Sequence, residues 1–272
     1  LALMAREGIA SAQPERWLGA GGTPTTAEPY GGDVTLSPSQ FERALACPLR
    51  WFLTTIGADG PSNAAASLGT LVHALAEENP HGSAQELTEA LEARIEELGY
   101  NLDTWAGRHA DRRAHAIVDN LASYMAGVPG RVEVERSVEA QVEGVTIRGR
   151  MDRLEHVDEG VRVTDLKTGK SGYSAKTVPD NPQLAAYQMA LLAAGERVAG
   201  ARIALLGDKK HHSFDQRPLE GETLEGWREK VREVAAIARG PYFEATPSEK
   251  ACLYCSFDRL CPARERGRKV VE

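Results

Sequence analysis

The sequence predicts an α/β fold with a central mixed sheet flanked by helices. Three observations carry that expectation. The hydrophobic period changes from helical to alternating at residue 131. Three alternating segments then follow one another across short turns, the pattern of an antiparallel meander. After them come a helix, a strand and another helix, an order that places helices against a sheet.

The elements follow in order. Residues 1–33 read as a linker or tail, rich in Gly, Pro and Thr and without apolar period. A helix starts at Ser37-Pro38, with Ser as N-cap and Pro at the first helical position. Phe41, Leu45, Leu49 and Phe52 recur at helical spacing, and Cys47-Pro48 inside that run predicts a kink or break. Helices are expected over 66–78, 83–98 and 103–126. Ser83 and Glu86 make a capping box for the second of these, and Leu91, Ile95 and Leu98 share one of its faces. The meander consists of RVEVERSVEAQV, then VTIRGRMDRLEHV after a turn at Gly144, then VRVTDLKTGK after an Asp-Glu-Gly turn. NPQLAAYQMALLAAG reads as a helix, ARIALLG and HSFDQRPL as strands, and LEGWREKVREVAAIARG as an amphipathic helix.

Composition bounds the function. With 272 residues, 42% hydrophobic and 26% charged, the chain can bury a core without disulfides. No apolar run approaches the ~18 residues of a membrane span, and no charged-then-apolar signal opens the chain, so no membrane partner and a cytoplasmic location are expected. The chain begins at Leu1, which suggests a piece of something longer. The net charge of −7 argues mildly against a nucleic-acid partner. It does not exclude a nuclease, whose acidic residues hold cations.

The chemistry concentrates in residues 149–170. Asp152 lies in the second strand of the meander, and Asp165 and Lys167 in the third, both on one face, with Leu166 directed oppositely. If those strands pair across the Asp-Glu-Gly turn, the two carboxylates lie nearly side by side. Such a pair is costly without a cation, and a hard divalent ion with oxygen ligands compensates it. The lysine then stands where it can stabilise charge developing on a phosphate. Gln183 and Tyr187 share one face of the following helix.

This set resembles the RecB-like branch of the PD-(D/E)xK nuclease superfamily. The motifs that carry the resemblance are Gly69-x-x-x-His73, Gly149-x-x-Asp152-Arg153-x-Glu155, Asp165-Leu-Lys167 and Gln183-x-x-x-Tyr187. The cysteines extend it: Cys47 precedes the core, and Cys252-x-x-Cys255 and Cys261-Pro262 follow it. The flanking segments are most similar to the nuclease module of actinobacterial AdnA/AdnB-type helicase–nuclease subunits. The resemblance implies a restriction-endonuclease-like core with an N-terminal helical part and a cysteine-tied C-terminus. It divides the chain into tail 1–33 and nuclease domain 34–272. Within that domain, 34–128 is helical and carries Cys47 and His73, 129–245 is the core, and 246–272 is cysteine-rich.

The resemblance further implies a DNA nuclease. His73, Asp152, Asp165 and the Leu166 carbonyl would hold Mg²⁺ or Mn²⁺, with Asp152, Asp165 and Lys167 as catalytic residues and Gln183 and Tyr187 as positioning residues. Imidazole suits Mn²⁺ better than Mg²⁺. It implies a [4Fe–4S] cluster on Cys47, Cys252, Cys255 and Cys261, with structural Zn²⁺ as the alternative. The expected substrate is single-stranded DNA fed by a helicase motor in the same full-length chain or in a partner subunit, during double-strand-break processing. Two alternatives stand beside this: a catalytically quiet DNA-binding or scaffold module, and a free-standing exonuclease of the CRISPR-adaptation type. Arg148, Arg150, Arg153, Lys170, Lys176, Lys209 and Lys210 form a possible phosphate track, with RERGRK at 264–269 a second basic patch. Glu133 and Glu135 occupy the strand before the core; one of them could add a supporting carboxylate, but solvent-facing alternation explains them as well, and neither is assigned to the site.

Overall fold

The computed structural model describes residues 2–13, 31–59, 68–128, 130–169, 172–207, 209–253 and 255–264. Most of the 1–33 tail, Lys170 and residues 265–269 of the second basic patch lie outside them. The helices are α1 (Ala2–Arg6), α2 (Pro38–Ala46), α3 (Pro48–Thr55), α4 (Leu68–Glu78), α5 (Ala84–Glu92), α6 (Trp105–Ala126), α7 (Pro182–Ala193), α8 (Gly221–Arg239) and α9 (Glu249–Cys252). The strands are β1 (Val34–Leu36), β2 (Val132–Val142), β3 (Val145–Val157), β4 (Gly160–Lys167), β5 (Val198–Leu205) and β6 (His212–Gln216).

The chain divides into two compact units. One comprises 33–42 and 62–232 and holds the whole sheet; the other comprises 1–32, 43–61 and 233–272 and holds all four cysteines. The division falls within α2, between residues 61 and 62, and within α8.

In the first unit the sheet is mixed, as the order of elements predicted. β3 is its long central strand. β2 pairs antiparallel along one edge of β3, from Val142↔Val145 to Val132↔Glu155. The turn between them, Glu143-Gly144, has φ of 50° and 74°, the positive pair that a tight two-residue hairpin requires. The opposite edge of β3 is shared: β1 pairs parallel with Val145–Ile147, and β4 antiparallel with Arg153–Val157. β4 continues beside β5 in parallel as far as Lys167↔Leu205, and β6 closes the sheet. β4 therefore leaves β3 after Thr164 while keeping its other neighbour, and the sheet forks there.

Helices cover both faces. Leu71, Val72 and Leu75 of α4, Leu87 and Leu91 of α5, and Ile117, Leu121 and Met125 of α6 form a core with Leu166, Ala204 and Leu206. α7 lies against the other face, and its small Ala185, Ala186 and Ala190 are fully buried. β1, Val34–Leu36, was not expected, and one expectation is corrected: the 83–98 helix ends at Glu92, with Ile95–Leu98 a separate 3-10 turn. The capping box at Ser83 and the break at Cys47-Pro48 are present. Among the described residues no helix is long and apolar enough to cross a membrane.

Candidate metal centre

The fork brings the acids together. Pairing of β3 with β4 stops at Arg153↔Thr164, one position before Asp152 would face Asp165. In place of the next ladder bond, the Asp152 Oδ2 accepts from the Leu166 N–H at 2.7 Å. On the other edge of β3 the ladder skips one step, between Val134↔Arg153 and Arg136↔Met151, leaving Glu135 opposite Asp152. Glu135 sits at φ 50°, a left-handed conformation costly for a residue with a side chain. Like charges facing across strands repel. Three carboxylates thus converge where the sheet opens.

His73, on α4, places Nδ1 3.1 Å from Asp152 Oδ1. Ligand atoms of His73, Glu135 and Asp152 all lie within 4.8 Å of one another. Lys167 Nζ is 2.7 Å from Asp165 Oδ2, and Gln183 bridges the pair. Its Nε2 donates to Asp165 Oδ1 at 2.8 Å, and its Oε1 accepts from Lys167 at 3.4 Å. Tyr187 donates to the Arg150 carbonyl at 2.7 Å, and its ring lies so close to β3 that a Cβ on Gly149 would meet it at 2.9 Å. Gly149 is thereby required for the strand to accept Tyr187. Leu166 turns its side chain into the core, as alternation predicted. At the rim, Arg150 bridges Glu135 at 2.5 Å and Glu77 at 2.8 Å.

The electrostatics leave room for positive charge. Burial pushes the Asp165 carboxyl up to about 6, with Asp152 adding to it; Lys167 and His73 act oppositely and do not cancel the rise. Burial also raises Glu135. The hydrogen bond to Asp152 raises His73 against the effect of its own burial. Burial lowers Lys167, but the fields of Asp165, Tyr173 and Asp152 outweigh it and hold the ammonium charged. Asp165 Oδ2 is buried without a hydrogen bond, since its contact with Lys167 is an ion pair that lacks hydrogen-bond alignment. The carboxylate and imidazole donors of His73, Glu135 and Asp152, this close together, fit a hard divalent cation such as Mg²⁺ or Mn²⁺.

The model of the PD-(D/E)XK nuclease superfamily matches residues 35–262. The chain belongs to that superfamily. No curated protein matches the sequence. Among solved structures, SSO0001 is similar at 16% identity and a TM-score of 0.44, covering 86% of this chain and 88% of that one. A protein from Eubacterium rectale, named as a presumed exonuclease, is similar at 12% identity and a TM-score of 0.44, covering 82% and 93%.

Superfamily membership makes the second half of the Gly149–Glu155 motif instructive. Arg153 and Glu155 point away from Asp152 and are fully buried. Glu155 accepts from Tyr124 in a short hydrogen bond and from Arg162 at 2.8 and 3.0 Å. Arg153 donates to the Pro80 carbonyl at 3.0 Å and lies 3.8 Å from Glu155. Arg153 is therefore removed from the expected phosphate track. Arg148 is tied to Glu139 at 2.7 Å and Arg150 to Glu77 and Glu135.

Glu135 is the residue that pattern reading weighed and left unassigned, and it joins His73 and Asp152. Its alternation with valines looked like a solvent face. The signal was present in the turn: a two-residue hairpin at Glu143-Gly144 pairs Val142 with Val145, and counting back sets Glu135 opposite Asp152.

In the second unit Cys47, Cys252, Cys255 and Cys261 line one cavity together with Arg50, Pro247 and Ala251. All four are free thiols, with no disulfide among them. Arg50 Nη1 donates to the Ala251 carbonyl at 2.8 Å, tying α3 to α9. The Leu49 N–H donates to the Glu244 carbonyl at 3.0 Å. Phe52 stacks on Phe243 with centroids 4.1 Å apart. Among the described residues no three cysteine sulfurs lie within 4.8 Å of one another.

Proposed function

We propose that the chain is a divalent-metal-dependent DNA nuclease that degrades single strands from an end, the nuclease module of a helicase–nuclease in double-strand-break repair. The observation that supports this is the convergence of His73, Glu135 and Asp152 within 4.8 Å beside the Asp165–Lys167 ion pair. His73, Asp152, Asp165 and the Leu166 carbonyl, joined by Glu135, would hold Mg²⁺ or Mn²⁺. Such an ion supplies Lewis-acid polarisation of the phosphate and a more acidic water. Asp152 accepts the Leu166 N–H and so sets the spacing of the two strands at the fork. Lys167, kept protonated by Asp165, offers a positive charge to the phosphate oxygens as negative charge builds on them. Gln183 orients both members of that pair. Tyr187 fixes β3 beside Gly149. The helicase association rests on the likeness of the flanking segments to AdnA/AdnB-type subunits. The test is degradation of end-labelled single-stranded DNA with Mn²⁺; a wild-type protein that leaves it intact contradicts the reading.

We further propose a [4Fe–4S] cluster on the four cysteines. Four thiols around one cavity, drawn from α3's N-cap and the C-terminal Cys-x-x-Cys and Cys-Pro pairs, support the reading. Anaerobically purified protein should be brown, with absorption near ~400 nm; colourless protein carrying stoichiometric zinc contradicts it.

A further inference from the structure

α6 presents a surface that the metal centre does not use. Trp105, Arg108, His109, Arg112 and Arg113 are all exposed. At 3.6 residues per turn they fall within about 140° of the helix circumference. The lone acid between Trp105 and Arg113 is Asp111, which lies on the far side and sits 3.8 Å from His115. Trp105 is 70% exposed, and its ring stacks on His109 with centroids 5.3 Å apart and planes at 4°. A solvent-exposed tryptophan held in a stack is an aromatic platform that burial does not explain.

The platform is rigidly seated. Thr104 caps α6 by accepting from the Gly107 N–H at 3.0 Å. A Cβ on Gly107 would lie 1.8 Å from the Asn101 carbonyl oxygen, so the preceding loop packs directly against the first turn. Arg108 curls back onto the Leu102 and Asp103 carbonyls at 2.9 and 3.0 Å. Arg112 has no hydrogen bond or ion pair among the described residues. At the other end of the stripe, Arg113 donates to the Thr168 carbonyl at 3.3 Å. Thr168 is the residue after Lys167, so the stripe runs up to the end of the catalytic strand.

We propose that this face of α6 is a track for a single DNA strand, a reading that rests on the nuclease assignment. A base stacks on the Trp105–His109 pair, and Arg112 and Arg113 contact phosphates between that base and Lys167. The rise from Trp105 to Arg113 is about 12 Å, the length of three or four stacked nucleotides. Aromatic stacking accepts any base, so the track is tolerant of sequence. In a chain of net charge −7, a stripe with three arginines and no carboxylate is charge-complementary to a phosphate backbone.

The test is anisotropy of a fluorescein-labelled oligodeoxythymidine of ~15 nucleotides, titrated with the full chain in EDTA so that nothing is cleaved. Trp105→Ala should weaken binding about tenfold, and Trp105→Phe should restore most of it. Arg112→Ala with Arg113→Ala should flatten the slope of log affinity against log salt by about 1.4. Arg131→Ala, an exposed arginine just before β2 and off the stripe, should leave the slope unchanged. Wild-type protein that does not bind the oligonucleotide overturns the track, as does equal binding by Trp105→Ala. Weakening by the arginine pair alone also overturns it, because a merely anionic partner needs no platform. Equal affinity for the same labelled strand annealed to oligodeoxyadenosine overturns the stacking as well. Because binding is read without metal, a chain that binds through Trp105 yet hydrolyses nothing supports the track while contradicting the nuclease assignment.

Discussion

The two faces of the β3–β4 ribbon both carry buried charge, and they solve it differently. On one face Glu155 is enclosed by Tyr124, Arg162 and Arg153, so that two guanidiniums answer one carboxylate. On the other, Glu135, Asp152 and Asp165 meet Lys167, the rim residue Arg150 and the imidazole of His73. The first face is closed by the protein's own cations. The second is left acidic where the sheet forks, and burial pushes Asp165 up to about 6. Neighbours in one motif, Asp152-Arg153-x-Glu155, thus face opposite ways: Asp152 points into the fork beside His73 and Glu135, and Arg153 and Glu155 point to α6 and the core.

Substitutions should separate the faces. The largest effect is expected from Asp165→Ala or Lys167→Ala, which should lower single-strand degradation by roughly 10³-fold with the far-UV circular dichroism of the folded protein retained. Glu155→Ala should do the reverse. It strands Arg153 and Arg162, and breaking such a buried pair costs about 3–5 kcal/mol, visible as a large fall in chemical-denaturation stability. Equal losses of activity and stability on both faces would dissolve the comparison.

Glu135→Gln sharpens it. The account expects Mn²⁺ affinity, measured by calorimetry, to fall about 10–100-fold, with Tm unchanged or raised because a buried like charge is removed. Unchanged affinity would return Glu135 to the solvent-facing role its alternation first suggested.

A smaller effect concerns pH. The Asp165 carboxyl titrates higher in the folded metal-free protein than in the unfolded chain, so it contributes stability below about pH 4 that is lost as pH rises through about 6. Denaturation of metal-free protein across that window should show about 2 kcal/mol of this decline, absent from Asp165→Asn. Tyr187→Phe should cost least, about 1 kcal/mol for its bond to the Arg150 carbonyl.

Long periodic elements were legible because burial enforces the period: the meander, α6 and α7 follow their patterns. The acid-x-lysine strand followed from one turn, but the expected pairing of Asp152 with Asp165 did not, because the ladder stops at Arg153↔Thr164 and Asp152 takes the Leu166 N–H instead. β1 was not legible, since three residues after a Gly-rich stretch carry too little pattern. Arg153 misled because an arginine next to an acid on an alternating strand looks solvent-facing; only the packing of α4 to α6 shows that this face is core. Glu135 was hidden by the same alternation and revealed by register. The meeting of Cys47 with the three later cysteines required a return of chain that no local signal encodes.

The most direct measurement is the rate at which Asp152→Asn protein degrades single-stranded DNA with Mn²⁺, beside wild type with and without the ion. The account predicts rapid loss of DNA only for wild type with Mn²⁺. Degradation by Asp152→Asn at the wild-type rate, or by wild type in excess chelator, would contradict it.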